Sequence, residues 1–112
     1  MKVAALQMNV ALGEPKKNID TMYRLAAKAM ENRPDVLLLP ELWRLGFYPR
    51  PIHDFADDDG SETRRVLAEM ARRYQVNIVG GTVANAIGKR VFNTCYIFDR
   101  TGHLVTVYHK TH

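Results

Sequence analysis

The sequence predicts an α/β protein, and three observations lead to that prediction. Short apolar segments of strand length alternate with amphipathic segments of helical length. Residues 35–40 are apolar without alternation, which is typical of a strand covered on both faces. The resulting order is strand, helix, strand, helix and three further strands, so the early strands are expected to be joined by crossover helices.

The first two strands and both helices follow from local patterns. Residues 2–9 are apolar and β-compatible, and Pro15 suits the first turn of a helix that runs to residue 32. A strand over residues 35–40 precedes a long loop over residues 43–60. Asp59 and Glu62 then resemble a capping box. The inner face of the helix that this box opens consists of Val66, Leu67, Met70, Ala71 and Tyr74.

Three strands are predicted in the last third of the chain, over residues 76–83, 91–99 and 104–108. The first of them contains Gly80-Gly81, which permits another group to approach the backbone closely. Two helices cover one face of a five-stranded sheet at most. We therefore expect the cover of the other face to come from a partner chain or from further sequence.

Length and composition narrow the class of protein. A chain of 112 residues is one domain at most, and 46% apolar with 25% charged residues is ordinary for a globular protein. No segment approaches the length of a membrane span, and the single Cys95 fits a reducing compartment, so a cytoplasmic protein without a membrane partner is expected. The net charge of +4 is scattered rather than clustered, which favours solvated charge over a nucleic-acid site.

Glu41 is the first candidate for chemistry, because it follows the apolar strand in LLLPELW. Ligands and catalytic groups of α/β sheets gather just beyond the carboxyl ends of strands. A carboxylate among apolar neighbours there would have a raised pKa, which suits a general base. The alternative is a surface glutamate that accepts hydrogen bonds from the next turn.

Lys110 and Cys95 are two further candidates for chemistry. Lys110 follows the alternating strand LVTVY, so it can stabilise an oxyanion or pair with a carboxylate, although a solvated lysine is the simpler alternative. Cys95 lies in mid-strand, where nothing lowers the pKa of its thiol, so we interpret it as a small core residue and not as a nucleophile. The histidines lack ligand spacing and no glycine-rich phosphate loop occurs, so neither a metal nor a cofactor is expected.

Six segments occur in an order that resembles the nitrilase, or carbon–nitrogen hydrolase, superfamily. They are KVAALQMN, LLLPELW, GFYP, NIVGGTV, FNTCYIFD and YHKTH, and together they span essentially all 112 residues. Within the superfamily the chain is most similar to the small amidases of the omega-amidase and Nit type.

The resemblance implies the N-terminal half of an α-β-β-α sandwich, so residues 1–112 would be one incomplete part of a single domain. It also implies amide hydrolysis by a Glu-Lys-Cys triad, with Glu41 as general base and Lys110 as the oxyanion-binding lysine. Phe47 and Tyr48 would line the pocket for a small-molecule amide, although they can equally be loop packing. A homo-oligomer of the full-length parent is also implied.

Residues 1–112 depart from the family pattern in three respects, because the nucleophilic cysteine, a second glutamate near the triad and the second half of the sandwich are not among them. The nucleophilic cysteine of the family lies well downstream of the lysine, and Cys95 matches a structural strand position. The chain by itself is therefore expected to be inactive. It is also expected to be poorly soluble or loosely packed, because the sheet face meant for the missing half would be exposed. Two alternatives remain: a truncated or split protein that serves as a non-catalytic interaction module, and a basic nucleic-acid binder that rests on the sequence pI of 9.4 alone.

Overall fold

The computed structural model describes residues 1–46 and 52–111, which form a seven-stranded mixed sheet with helices packed against it. The helices in this part of the chain are α1 (Pro15–Ala29), α2 (Ile52–Phe55) and α3 (Ser61–Tyr74), and a 3-10 turn over Met30–Asn32 extends α1. The strands are β1 (Val3–Ala5), β2 (Val36–Leu38), β3 (Asp57–Asp58), β4 (Asn77–Val79), β5 (Val83–Ile87), β6 (Arg90–Phe98) and β7 (Leu104–Thr111). None of the helices described is long and apolar enough to cross a membrane.

The first half of the sheet is parallel. Strand β1 pairs with β2 and β2 pairs with β4, both in parallel register. Helix α1 connects the first pair and α3 lies in the connection between the second, as the alternation of segments predicts. The parallel strands are only three residues long, which is shorter than the segments predicted over residues 2–9 and 35–40.

Strand β6 organises the second half of the sheet. It pairs antiparallel with β4 near its C-terminal end, with β5 near its N-terminal end and with β7 along most of its length. The single strand predicted over residues 76–83 is therefore wrong, because Gly80 and Gly81 lie between β4 and β5 rather than inside a strand. Gly81 has a φ of +59°, which interrupts the extended backbone.

Both long helices pack against one face of the sheet. Met22 of α1 and Leu67 of α3 share a single hydrophobic core with Leu37, Ile78 and Tyr96 of the strands. Side chains alternate between faces along a strand, so the residues between these core positions lie on the opposite face. We call that face the open face; from its registers it carries Val3, Leu38, Val79, Ile97, Cys95, Asn93, Tyr108 and Lys110.

The open face is only partly covered by the residues that the structure describes. Val3 is 53% exposed, Leu38 39% and Tyr108 67%. The predicted shortage of cover for one side of the sheet is thus found where the sequence pattern placed it.

The start of α3 differs from the predicted capping box. Gly60 occupies the cap position and Ser61 begins the helix, while Asp59 lies outside it. The buried Asp57 accepts hydrogen bonds from the backbone N–H groups of Glu62 and Thr63 instead. Glu62 pairs with Arg44 at 3.0 Å. The predicted loop over residues 43–60 also contains α2 and β3.

Candidate functional site

The backbone that carries Glu41 is hydrogen-bonded to the segment between β4 and β5. The Leu39 N–H donates to the Val79 carbonyl at 2.9 Å. The Leu42 N–H donates to Oγ1 of Thr82 at 2.9 Å. Beyond Glu41, the indole Nε1 of the fully buried Trp43 donates to the Gly80 carbonyl at 2.8 Å. Glu41 is therefore held on both sides by bonds to the adjacent part of the sheet.

Gly81 makes this arrangement possible. A Cβ atom at Gly81 would collide with the carbonyl oxygens of Pro40 and Leu39. The prediction that Gly80-Gly81 permits a close approach is thus confirmed, and the group that approaches is the backbone immediately before Glu41. A sequence pattern reports the glycine but not the segment that needs it.

A buried amide connects Glu41 with the strand that faces Lys110. Nδ2 of Asn93 donates to Oε1 of Glu41 at 3.3 Å, and Asn93 is only 3% exposed. Asn93 in β6 is the register partner of Lys110 in β7, so both side chains lie on the open face. The structure thereby brings the two site residues that the sequence singled out to the same edge of the same face.

Two details of the predicted site need correction. Lys110 lies inside β7, which extends to Thr111 rather than ending at residue 108. Glu41 and Lys110 are both exposed, so the described residues do not enclose the dry pocket expected around the carboxylate. Phe47 and Tyr48, predicted to line the substrate pocket, lie outside the residues that the structure describes.

Cys95 has the properties of an unreactive thiol. It is half-buried on the open face, in the middle of β6, and it is not part of the core cluster that was predicted to contain it. Burial raises the pKa of the thiol, and a backbone hydrogen bond from Gly80 opposes this rise only in part. The thiol form is therefore favoured near neutral pH.

A second polar cluster lies on the helix side of the sheet. Nδ2 of the fully buried Asn85 donates to the Tyr96 hydroxyl at 3.0 Å, and Oγ1 of Thr94 lies 2.9 Å from Nδ1 of His109. Burial raises the pKa of Tyr96, and a hydrogen bond with Arg64 opposes the rise. This cluster does not contact Glu41. Within residues 1–46 and 52–111 no three His, Cys, Asp or Glu side chains are grouped closely enough to hold a metal ion.

Comparison with known proteins establishes the family. The family model for carbon-nitrogen hydrolase matches residues 2–112, so the chain belongs to the carbon–nitrogen hydrolase family. A 2-oxoglutaramate amidase of Bacillus subtilis (strain 168) is 34% identical over 110 residues, which are 98% of this chain and 42% of that protein. A chloroplastic omega-amidase of Arabidopsis thaliana is 26% identical, covering 98% of this chain and 31% of that protein.

Solved structures agree on the fold. A CN-hydrolase superfamily protein from Xanthomonas campestris superposes with a TM-score of 0.85 at 25% identity, over 99% of this chain and 40% of that one. An amidase from Nesterenkonia sp. gives a TM-score of 0.82 at 25% identity, over 98% and 42%. The predicted nitrilase-like α/β fold is confirmed. The chain spans less than half the length of each of these relatives.

Asn93 is the site residue that the sequence reasoning missed. The signal was present in FNTCYIFD, where an uncharged polar residue stands inside an apolar strand. Such a residue needs a hydrogen-bond partner when it is buried. The identity of that partner, 52 residues away in the chain, could not be read from local pattern.

Proposed function

We propose that this chain is the N-terminal part of a single carbon–nitrogen hydrolase domain that hydrolyses amide bonds of small molecules. Glu41 is the general base, Lys110 binds the oxyanion, and a cysteine from outside residues 1–112 is the nucleophile. The observation that supports the proposal is that Asn93, on the open face, hydrogen-bonds Glu41 and is the register partner of Lys110. Membership of the carbon–nitrogen hydrolase family supports the reaction class.

The chemistry requires a proton acceptor and a fixed cation beside one carbonyl group. Glu41 takes the proton of the cysteine thiol as sulfur attacks the amide carbon, and the Lys110 ammonium stabilises the negative charge on oxygen. Glu41 then gives that proton to the leaving nitrogen, and ammonia or an amine departs as the C–N bond breaks. Glu41 next takes a proton from water, whose oxygen attacks the thioester carbon. The carboxylic acid leaves, and the proton returns to sulfur.

The names of the relatives suggest the first substrates to try. The B. subtilis relative is a 2-oxoglutaramate amidase and the A. thaliana relative an omega-amidase. We propose a primary amide at the end of a short carboxylic acid as the substrate class. Phe47 and Tyr48 are proposed to line its pocket.

Ammonia release by the full-length product of the gene tests the proposal. We expect turnover of 2-oxoglutaramate by that product and none by residues 1–112 alone. Glu41→Gln and Lys110→Met should each lower kcat by about 10³-fold or more, because each removes a group that acts in the transition state. Glu69→Gln and Lys28→Met are the matched controls, since they neutralise the same charges on the two long helices, which pack against the opposite face of the sheet. Equal activity of Glu41→Gln and Glu69→Gln would contradict the proposal.

A second candidate is a non-catalytic interaction module. The observation in its favour is the open face, whose apolar side chains Val3, Leu38 and Tyr108 are exposed. The DNA that follows the codon for His112 separates the two candidates. A continuing reading frame that encodes a cysteine favours the hydrolase, and an immediate stop codon favours the module.

A further inference from the structure

The side-chain amide of Asn93 has a bonded donor and an open acceptor. Its amide nitrogen donates to Oε1 of Glu41 at 3.3 Å, whereas its buried carbonyl oxygen Oδ1 has no hydrogen-bond partner among the residues that the structure describes. Buried polar atoms are nearly always paired in folded proteins. An acceptor left open beside a candidate general base therefore indicates that a donor reaches it in the working site.

Lys110 is a donor whose backbone position allows it to reach Oδ1. Register partners in adjacent antiparallel strands have Cβ atoms roughly 5 Å apart, and Asn93 and Lys110 are such partners. The lysine side chain is long and its ammonium carries three N–H donors. In the part of the chain that the structure describes, the ion pairs are Arg44–Glu62, Arg64–Asp59 and Arg73–Glu69, so Lys110 is not engaged by a carboxylate.

We propose that Asn93 is a positioning residue that joins the two charged groups: it donates to Glu41 and accepts from Lys110. This inference rests on the proposed function. The neutral amide fixes Oε1 of Glu41 and leaves Oε2 free to take a proton. A carboxylate whose orientation is fixed in this way is prepared for proton transfer.

Substitutions at two asparagines of the same sheet test the role. In the full-length product, Asn93→Leu should lower kcat by about 10- to 100-fold with KM changed by less than about threefold, because it misplaces reacting groups rather than substrate contacts. Asn93→Asp keeps the shape but loses the N–H donor, and it should lower kcat at least as much. Asn85→Leu is the matched control. Asn85 is also buried, and its Oδ1 has no partner in the described part of the chain, but it lies on the helix side.

The outcomes are distinct. A loss of kcat at Asn93 that exceeds the loss at Asn85 by about tenfold supports the role. An equal loss for the two leucine variants shows a purely structural effect and overturns it, as does full activity of Asn93→Asp.

A second readout does not depend on activity. In the NMR spectrum of the full-length product, Glu41→Gln and Lys110→Met should each shift the side-chain NH₂ signals of Asn93 and leave those of Asn85 in place. If these signals respond but no amide is hydrolysed, the proposed function is contradicted and the contacts of Asn93 with Glu41 and Lys110 are supported. If amides are hydrolysed but the signals of Asn93 do not move, the positioning role of Asn93 is contradicted and the proposed function is supported.

Discussion

At the scale of single residues, the conformation of two neighbouring backbone positions determines where Glu41 stands. Leu42 has a φ of +53° and Gly81 one of +59°. The left-handed region costs a residue with a Cβ roughly 1–2 kcal/mol, so the structure around Leu42 must offset that cost. The buried indole of Trp43 and its bond to the Gly80 carbonyl supply part of the compensation.

Replacement of Gly81 by alanine, compared with the same replacement at Gly88, distinguishes the cost of a positive φ from the cost of a steric collision. Gly81→Ala should lower the free energy of unfolding by about 2 kcal/mol or more beyond the loss in Gly88→Ala, because only at Gly81 does the new methyl meet the Pro40 carbonyl. Gly88 is the control, since its φ of +60° matches and its Cβ would meet nothing within 4 Å. Urea unfolding followed by Trp43 fluorescence measures both. Equal losses would show that the approach of residues 39–40 is not tight.

The thiol of Cys95 offers a second test at this scale. Because burial raises its pKa, the fraction of thiolate at pH 7.5 should be lower in the folded chain than in urea. We expect alkylation by iodoacetamide, followed by mass spectrometry, to be about tenfold slower in the folded protein. The raised pKa also favours folding below the ordinary thiol pKa, and that contribution is lost as pH rises through the folded value. Rapid alkylation of the native protein would reopen the case for a reactive thiol.

At the scale of elements, the start of α3 depends on a residue that precedes the helix by four positions. Asp57 in β3 is 3% exposed, and its Oδ2 accepts from both the backbone N–H and the hydroxyl of Thr63, at 2.8 and 2.6 Å. The same residue is the register partner of Asn85 in β5. Asp57 therefore ties the helix start to the edge of the sheet.

The two aspartates near α3 can be compared directly. Asp57→Asn should cost about 1–2 kcal/mol of stability, because an NH₂ group would replace an oxygen that faces N–H donors. Asp59→Asn should cost less than about 0.5 kcal/mol, because its pair with Arg64 is long, at 3.8 Å, and exposed. Urea midpoints of the two variants measure the difference. A larger loss of stability for Asp59→Asn than for Asp57→Asn would support the capping box predicted from the sequence.

The elements that sequence predicted well are those whose pattern is local. The apolar spacing of α1 and α3 and the order of the strands needed no knowledge of distant residues. The break between β4 and β5 was missed, because it depends on the approach of Pro40, about 40 residues earlier in the chain. The cap by Asp57 was missed for a similar reason, since Asp59-x-x-Glu62 has the right spacing and Glu62 is instead engaged by Arg44.

The candidate site divides in the same way. Glu41 and Lys110 could be proposed from strand ends and from a family resemblance. The link of both residues to Asn93 depends on the register of β6 with β7 and on the turn after β2, and neither is encoded in a short motif. The exposure of Glu41 was not foreseen, because the apolar run before it suggested a buried carboxylate.

At the scale of the whole molecule, helices cover one face of the sheet, whereas apolar side chains of the open face are exposed. The helix side encloses the core that Met22, Leu67 and Tyr96 share, whereas Leu38 and Tyr108 on the open face remain accessible. An exposed apolar face of this kind favours association with other apolar surfaces in water.

Residues 1–112 alone should therefore bind an apolar dye such as ANS and self-associate as concentration rises. Leu38→Lys should reduce both effects, because it places a charge on the open face. Ile87→Lys should not, since Ile87 has a similar exposure, 37% against 39%, but its register places it on the helix side of β5. Dye fluorescence and sedimentation measure the two effects. Similar changes in dye binding and self-association in the two variants would show that the open face is not the surface that associates.

The nine-residue β6 has a consequence for the dynamics of the chain. It is bonded to β4 and β5 along one edge and to β7 along the other, so its amides can open only when several strands separate together. Deuterium should consequently enter β6 last, long after the short β1 and β2 have exchanged. Asn93 lies within this slowly exchanging segment, and the spacing between acid and ammonium would then be preserved through fluctuations that open the rest of the sheet.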